Sequence, residues 1–203
     1  RKLLFFGKGL DPRPGPVRVA DLLGEALRLL GDRAADLGVT IRLDVPADTP
    51  LLVAPPVELR QVFVHVAENA LDAVEYAQPP VTERELAVTV WVDVPPPPFI
   101  QSGESSARPS PPASGVIGGE MCIAFHDTGH GIASEVLPYV FEPFFSTRPV
   151  GRGMGLGLSV AVGVITALGG FIDIDSQPGS TTVTLRLPLP EAQADAAPPT
   201  CQG

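Results

Sequence analysis

The stretch "PPVELRQVFVHVAENALDAVEYA", residues 55–77, carries two patterns at once. Leu59, Val62, Phe63, Val66, Ala70, Ala73 and Val74 recur at helical spacing and form one apolar stripe. Pro56 suits a first turn, where an N–H is not needed. These residues predict a helix with one face in a core. His65, Asn69, Asp72 and Tyr76 recur at steps of four, three and four and make a second stripe, with Glu68 beside it. Asparagine competes for backbone groups in mid-helix and is disfavoured there. A polar stripe usually marks only a solvated face. Flanked by core residues, this one is also a candidate wall of a binding cleft.

On the N-terminal side, residues 1–16 start apolar and end in proline punctuation, as the end of an upstream helix and a linker would. Leu22, Leu23, Ala26, Leu29, Leu30 and Ala34 predict a helix over 17–38 with Gly38 as its stop. "VTIRLDV" alternates with period two and predicts a strand. On the C-terminal side, "ELAVTVWVDV" (85–94) and "EMCIAFHD" (120–127) read as paired strands. The Pro/Ser/Gly-rich insert between them, about 95–119, cannot support a packed core and is expected to be disordered. "ASEVLPYVF" predicts a short helix and "GLGLSVAVGVITALGG" a longer one. "FIDIDS" and "STTVTLRLP" form a closing hairpin, and the tail 191–203 is low complexity. This order predicts an α+β, two-layer sandwich: a mixed sheet with helices packed on one face.

Two glycine-rich loops flank the predicted cleft. "GRGMGLGLSV" (151–160) alternates glycine at 151, 153, 155 and 157, then enters a helix. It is not a Walker loop, since no glycine there is followed by lysine, and it does not fit G-x-G-x-x-G. Free N–H groups at a helix start still make an anion site. "DTGHGI" (127–132) ends a strand in a glycine turn, where Asp127 can accept hydrogen bonds from an exocyclic amine such as that of adenine. The Asn69 carboxamide oxygen is a hard ligand of the kind Mg²⁺ takes. Together these describe an ATP·Mg²⁺ site without a Walker lysine.

Composition narrows the class further. The 203 residues are 44% hydrophobic, enough for a buried core, and carry a formal net charge of -9 with a pI near 4.7. Nucleic acid is excluded as a partner, because phosphate-backbone binding needs clustered Lys and Arg. Cys122 and Cys201 lie in unlike settings and do not read as a pair, so a reducing, cytoplasmic compartment is expected. The uncharged run Gly153 to Phe171 is interrupted by six glycines and reads as a buried helix behind a loop. No membrane contact by this segment is expected. With no initial methionine, the chain reads as a piece of a longer protein.

From about residue 17 to 190 the chain resembles the catalytic ATP-binding domain of sensor histidine kinases, the Bergerat-fold superfamily shared with DNA gyrase, MutL and the large heat-shock chaperone. "RQVFVHVAENALDA" resembles its asparagine box, "DTGHGI" its first glycine box, "FEPFFSTR" its phenylalanine box and "GRGMGLGLS" its second glycine box. "LLFFGKG" resembles the end of a dimerisation helix. The resemblance implies ATP and Mg²⁺ as cofactors. It implies that Asn69 ligates the metal, and that Asp127 holds the adenine amine with Gly129, Gly131 and Ile132 around the purine. It places Asp72 among the nucleotide contacts and Phe144, Phe145 and Arg148 in a lid over the phosphates. Gly153, Gly155, Leu156, Gly157 and Leu158 would line the triphosphate, with Thr182 near the adenine. Arg148 or Arg152 would meet charge developing on the transferred phosphoryl group.

Two positions depart from the family pattern. His65 stands where a second asparagine is common, and Met154 where threonine is common. His65 is therefore grouped with Asn69 and Arg148 as a catalytic candidate, since a neutral imidazole can accept from a metal-bound water. Gyrase-like relatives carry a water-activating glutamate at that position, and its absence speaks against an ATP-driven clamp. None of His65, His126 and His130 sits in a phospho-acceptor context. The acceptor histidine is expected on a dimerisation domain upstream or in trans, with a response regulator downstream and a homodimeric full-length protein. A nucleotide-binding regulatory module without transfer activity stays open as the alternative.

Overall fold

The computed structural model describes residues 13–77, 83–93, 119–147 and 154–189. The chain enters as β1 (Gly15–Val17), then α1 (Val19–Leu29) and α2 (Gly31–Asp36). Two strands follow, β2 (Thr40–Asp44) and β3 (Leu52–Ala54), and then the long helix α3 (Pro56–Glu75). The remainder is β4 (Glu85–Asp93), β5 (Glu120–Asp127), α4 (Gly157–Ala167), β6 (Phe171–Gln177) and β7 (Ser180–Pro188). The main sheet runs β2-β4-β5-β7-β6, with β2 and β4 parallel and the other pairs antiparallel.

One face of this sheet packs on the helices. Leu86, Val88 and Val90 of β4, Met121, Ile123 and Phe125 of β5, and Val183, Leu185 and Leu187 of β7 share one buried cluster with the apolar stripes of α1, α3 and α4. Phe63 of α3 meets Phe125 with ring centroids 6.1 Å apart. The α3 stripe is the centre of that core: Leu59, Val62, Phe63, Val66, Ala70 and Val74 are all buried. The mixed sheet with helices on one face is the architecture that the order of elements predicts.

Three local expectations differ from the outcome. The helix expected over 17–38 breaks at Leu30, which is buried and takes φ -101 and ψ -1 before Gly31 restarts the turn. Glycine is a poor helix residue and leaves the chain free to bend there. The expected helix in 133–141 is a single 3-10 turn, Leu137–Tyr139, with Pro138 removing a donor. Gly15 and Pro16, read as linker, pair antiparallel with Ala54 and Val53 in a small second sheet. Nothing local in either three-residue strand signals that pairing. The insert, the tail and the upstream helix end lie outside the described residues, apart from Gly119 and the residues from Arg13 onward.

Candidate functional site

The site grows from the end of β5. Asp127 is its last residue, 3% exposed, and Oδ1 accepts the Gly129 N–H at 2.9 Å. Burial pushes its carboxyl up to about 7, against the opposing pull of that N–H. The turn after it is tied on every side. Thr128 N–H donates to the Glu85 carbonyl at 3.3 Å and His130 N–H to the Ala73 carbonyl of α3 at 3.1 Å. Ile132 N–H donates to Ser176 Oγ at 2.8 Å.

Both turn glycines are required by their neighbours. A Cβ on Gly129 would lie 2.5 Å from Ala73 Cβ. Gly131 has φ +76, and a Cβ there would collide with the Gln177 carbonyl of the β6–β7 hairpin. The turn is thus wedged between the last turn of α3 and the closing hairpin. This is why a carboxylate with few partners stays in a fixed place.

The other wall is α4. Its first turn has no side-chain cap, which leaves N–H groups for an incoming acceptor. The ring of His65 lies against it: His65 Cβ, Cγ and Nδ1 are 3.5–3.7 Å from where a Gly157 Cβ would sit. His65 Nδ1 is 3.6 Å from Glu68 Oε2, and its Nε2 is 3.4 Å from Gln61 Nε2. Asn69 follows one turn along the same helix and is half-buried. Leu156 precedes the helix, and Leu158 packs on the core, so Leu158 has only backbone to offer a ligand. The two loops meet where Phe144 N–H donates to the Gly155 carbonyl at 2.9 Å. Phe144 is 77% exposed and holds φ 68, an uncommon conformation for a bulky residue.

Two of the expected contact residues have side-chain partners within the protein. Thr182 is in register with His126, and its Oγ1 lies 3.1 Å from His126 Nδ1 on the face away from the helices. The residue opposite Asp127 is Thr181, 4% exposed, with Oγ1 2.9 Å from Ser176 Oγ. Strand period two decides this: Val183, Leu185 and Leu187 face the core, so Thr181 does too. That alternation is visible in the sequence and could have found Thr181. Asp72, expected among the nucleotide contacts, is held by Arg33 of α2 through Oδ1. Arg148, Arg152 and Gly153 lie outside the described residues. Among the described residues no group of three or more His, Cys, Asp or Glu could hold a metal, and no helix is long and apolar enough to cross a membrane.

Residues 54–191 match the family model described as "Histidine kinase-, DNA gyrase B-, and HSP90-like ATPase". The chain is 35% identical over 202 residues to "Sensor kinase CckA" of Brucella abortus, covering 98% of this chain and 20% of that protein. It is 34% identical over 167 residues to "Sensor protein FixL" of Bradyrhizobium diazoefficiens, covering 82% of this chain and 27% of that one. It therefore spans under a third of the length of these two relatives. In fold it is similar to the catalytic domain of histidine kinase ThkA, at TM-score 0.62 and 16% identity over 86% of this chain and 95% of that one. Full-length ShkA, solved in complex with AMPPNP, aligns at TM-score 0.65 and 23% identity over 90% of this chain and 32% of that one. With its mixed sheet, glycine turn and uncapped helix in place, the chain belongs to the histidine kinase-, DNA gyrase B- and HSP90-like ATPase family and is homologous to sensor histidine kinases.

Proposed function

We propose that this domain binds ATP with Mg²⁺ and presents the γ-phosphoryl group to a histidine on a dimerisation domain, upstream or in trans. The observation that carries the reading is the wedged turn around Asp127, a buried acceptor packed on Ala73 of α3, together with the uncapped N-terminus of α4 beside His65 of the same helix. Asp127 accepts from the adenine amine, Thr181 stands beside it, and Gly129, Gly131 and Ile132 let backbone approach the purine. The N–H groups of Gly157 and Leu158 face the phosphates. Phe144, Gly153 and Gly155 belong to the covering loop, and Arg148 or Arg152 meets the charge that develops during transfer.

Asn69 fits the metal role. It offers one hard oxygen, and with no acidic cluster among the described residues the remaining positions fall to phosphate and water, the arrangement Mg²⁺ prefers. The ion, when bound, neutralises phosphate charge and orients the triphosphate. His65 flanks that site from one turn earlier. The chemistry needs little else from the domain: the bond from the γ-phosphorus to the bridging oxygen breaks, a bond to the acceptor nitrogen forms, and ADP leaves. The full-length protein then acts as a homodimer in the cytoplasm and passes the phosphoryl group to a response regulator.

The test is incubation of the chain with γ-labelled ATP, Mg²⁺ and a histidine-bearing dimerisation domain from a sensor kinase. Label on the acceptor supports transfer. ATP binding without label on any acceptor would leave a nucleotide-binding regulatory module.

A further inference from the structure

Arg33 of α2 reaches across to the last turn of α3 and donates from Nη2 to Asp72 Oδ1 and, at 2.6 Å, to Glu75 Oε2. The Asp72 side chain is 10% exposed, that of Glu75 27% and that of Arg33 35%, so this grip is partly shielded from water. Two carboxylates at a helix C-terminus oppose the helix dipole, and α3 has no basic residue of its own in its last turn. Arg33 supplies that cation from another helix.

Between its two partners lies Ala73. The Ala73 carbonyl accepts the His130 N–H, and the Ala73 side chain fills the space that a Gly129 side chain would need. Among the described residues this is the tie between the glycine turn's backbone amides and a helix; the others run to β4, to Asp127 and to the hairpin. We propose that Arg33 is a positioning residue for the adenine end of the cleft: by holding Asp72 and Glu75 it fixes the Ala73 turn of α3, and through it the Asp127–Ile132 loop. Arg33 itself touches no nucleotide in this arrangement. The proposal rests on the reading of Asp127 as the adenine acceptor.

A second ion pair provides the control. Arg60 Nη1 meets Glu25 Oε2 at 2.8 Å and also ties α3 to the α1–α2 segment, but near the first turn of α3. Thirteen residues separate Arg60 from Ala73, or about 20 Å along a helix. If Arg33 only held helices together, the two arginines would be equivalent.

The experiment uses the 203-residue chain with Arg33→Ala, Arg33→Lys, Glu75→Gln and Arg60→Ala. Amide exchange at Thr128–Ile132 is measured without nucleotide, and affinity for ATP and ADP by calorimetry. Arg33→Ala should speed exchange of the His130 amide and weaken ATP and ADP alike, each about tenfold, since the base end is common to both. Arg33→Lys should recover part of both losses. Glu75→Gln, which leaves Asp72 paired, should move both in the same direction by less. Arg60→Ala should change neither. Unchanged exchange or unchanged ATP affinity in Arg33→Ala, or equal losses in Arg60→Ala, would overturn the proposal. Wild-type protein that fails to bind ATP, or Asp127→Asn binding it equally well, would instead sink the adenine reading and this inference with it.

Discussion

At the β5 end of the cleft, four of the five backbone N–H groups from Thr128 to Ile132 have partners within the protein. At the α4 end, the first helical turn has no side-chain cap, and the loop before it is tied back by the Phe144–Gly155 hydrogen bond. In the proposed function the first end is the socket for a flat, neutral base, and the second offers its donors to an anion that arrives with its own charge and metal. The contrast follows from the ligands: a base is recognised by fixed geometry, whereas a triphosphate supplies enough electrostatic energy to order what surrounds it.

The largest test of this contrast is Gly131→Ala. A Cβ there meets the Gln177 carbonyl while the backbone is still held at φ +76. The expected loss is about 2–4 kcal/mol of stability, read by chemical denaturation. Wild-type stability in that variant would mean that the socket is not clamped by the β6–β7 hairpin.

Asp127→Asn comes next. ATP affinity should drop by about 1.5–3 kcal/mol, the value of a hydrogen bond to a charged group. Stability should respond to pH in the opposite sense from a salt-bridged carboxylate. Burial raises the folded value from 3.8 to about 7, so the neutral acid is favoured in the folded state. That contribution is fully present below the unfolded value and is lost as pH climbs to about 7. Nucleotide-free stability should therefore fall over this window in the wild type, and fall less in Asp127→Asn. ATP affinity should rise through about pH 7 as the carboxylate becomes an acceptor. Melting curves and calorimetry across pH check both; flat profiles would show that Asp127 is not the buried acid.

The smallest effect sharpens the geometry. Thr181→Val should cost about 1 kcal/mol in ATP affinity by removing a hydroxyl beside Asp127, while Thr182→Val should leave it unchanged. Equal losses in the two variants would put the strand one residue out of register.

These differences also mark what the sequence made legible. The α3 helix was readable because seven apolar residues keep one phase, and β4 and β5 because their flanks are long and apolar. The glycine turn was readable because Asp127, Gly129 and Gly131 are adjacent in the chain. Leu30 looks like any helix residue, and its bend shows only once α2 has docked. Thr181 and Thr182 are the same residue type side by side. The alternation of Val183, Leu185 and Leu187 turns Thr181 inward, and the pairing with β5 is what sets it opposite Asp127. Arg33 and Asp72 lie 39 residues apart, and nothing local announces their meeting.

The register of β4 with β5 begins at Leu86 opposite Asp127 and ends at Asp93 opposite Glu120. Asp93 and Glu120 are neighbours at the sheet end opposite the cleft, seven residues or about 23 Å from Asp127. For protein engineering this pair is a splice point. A folded reporter whose termini lie close together could replace the residues between them while the glycine turn after β5 stays intact.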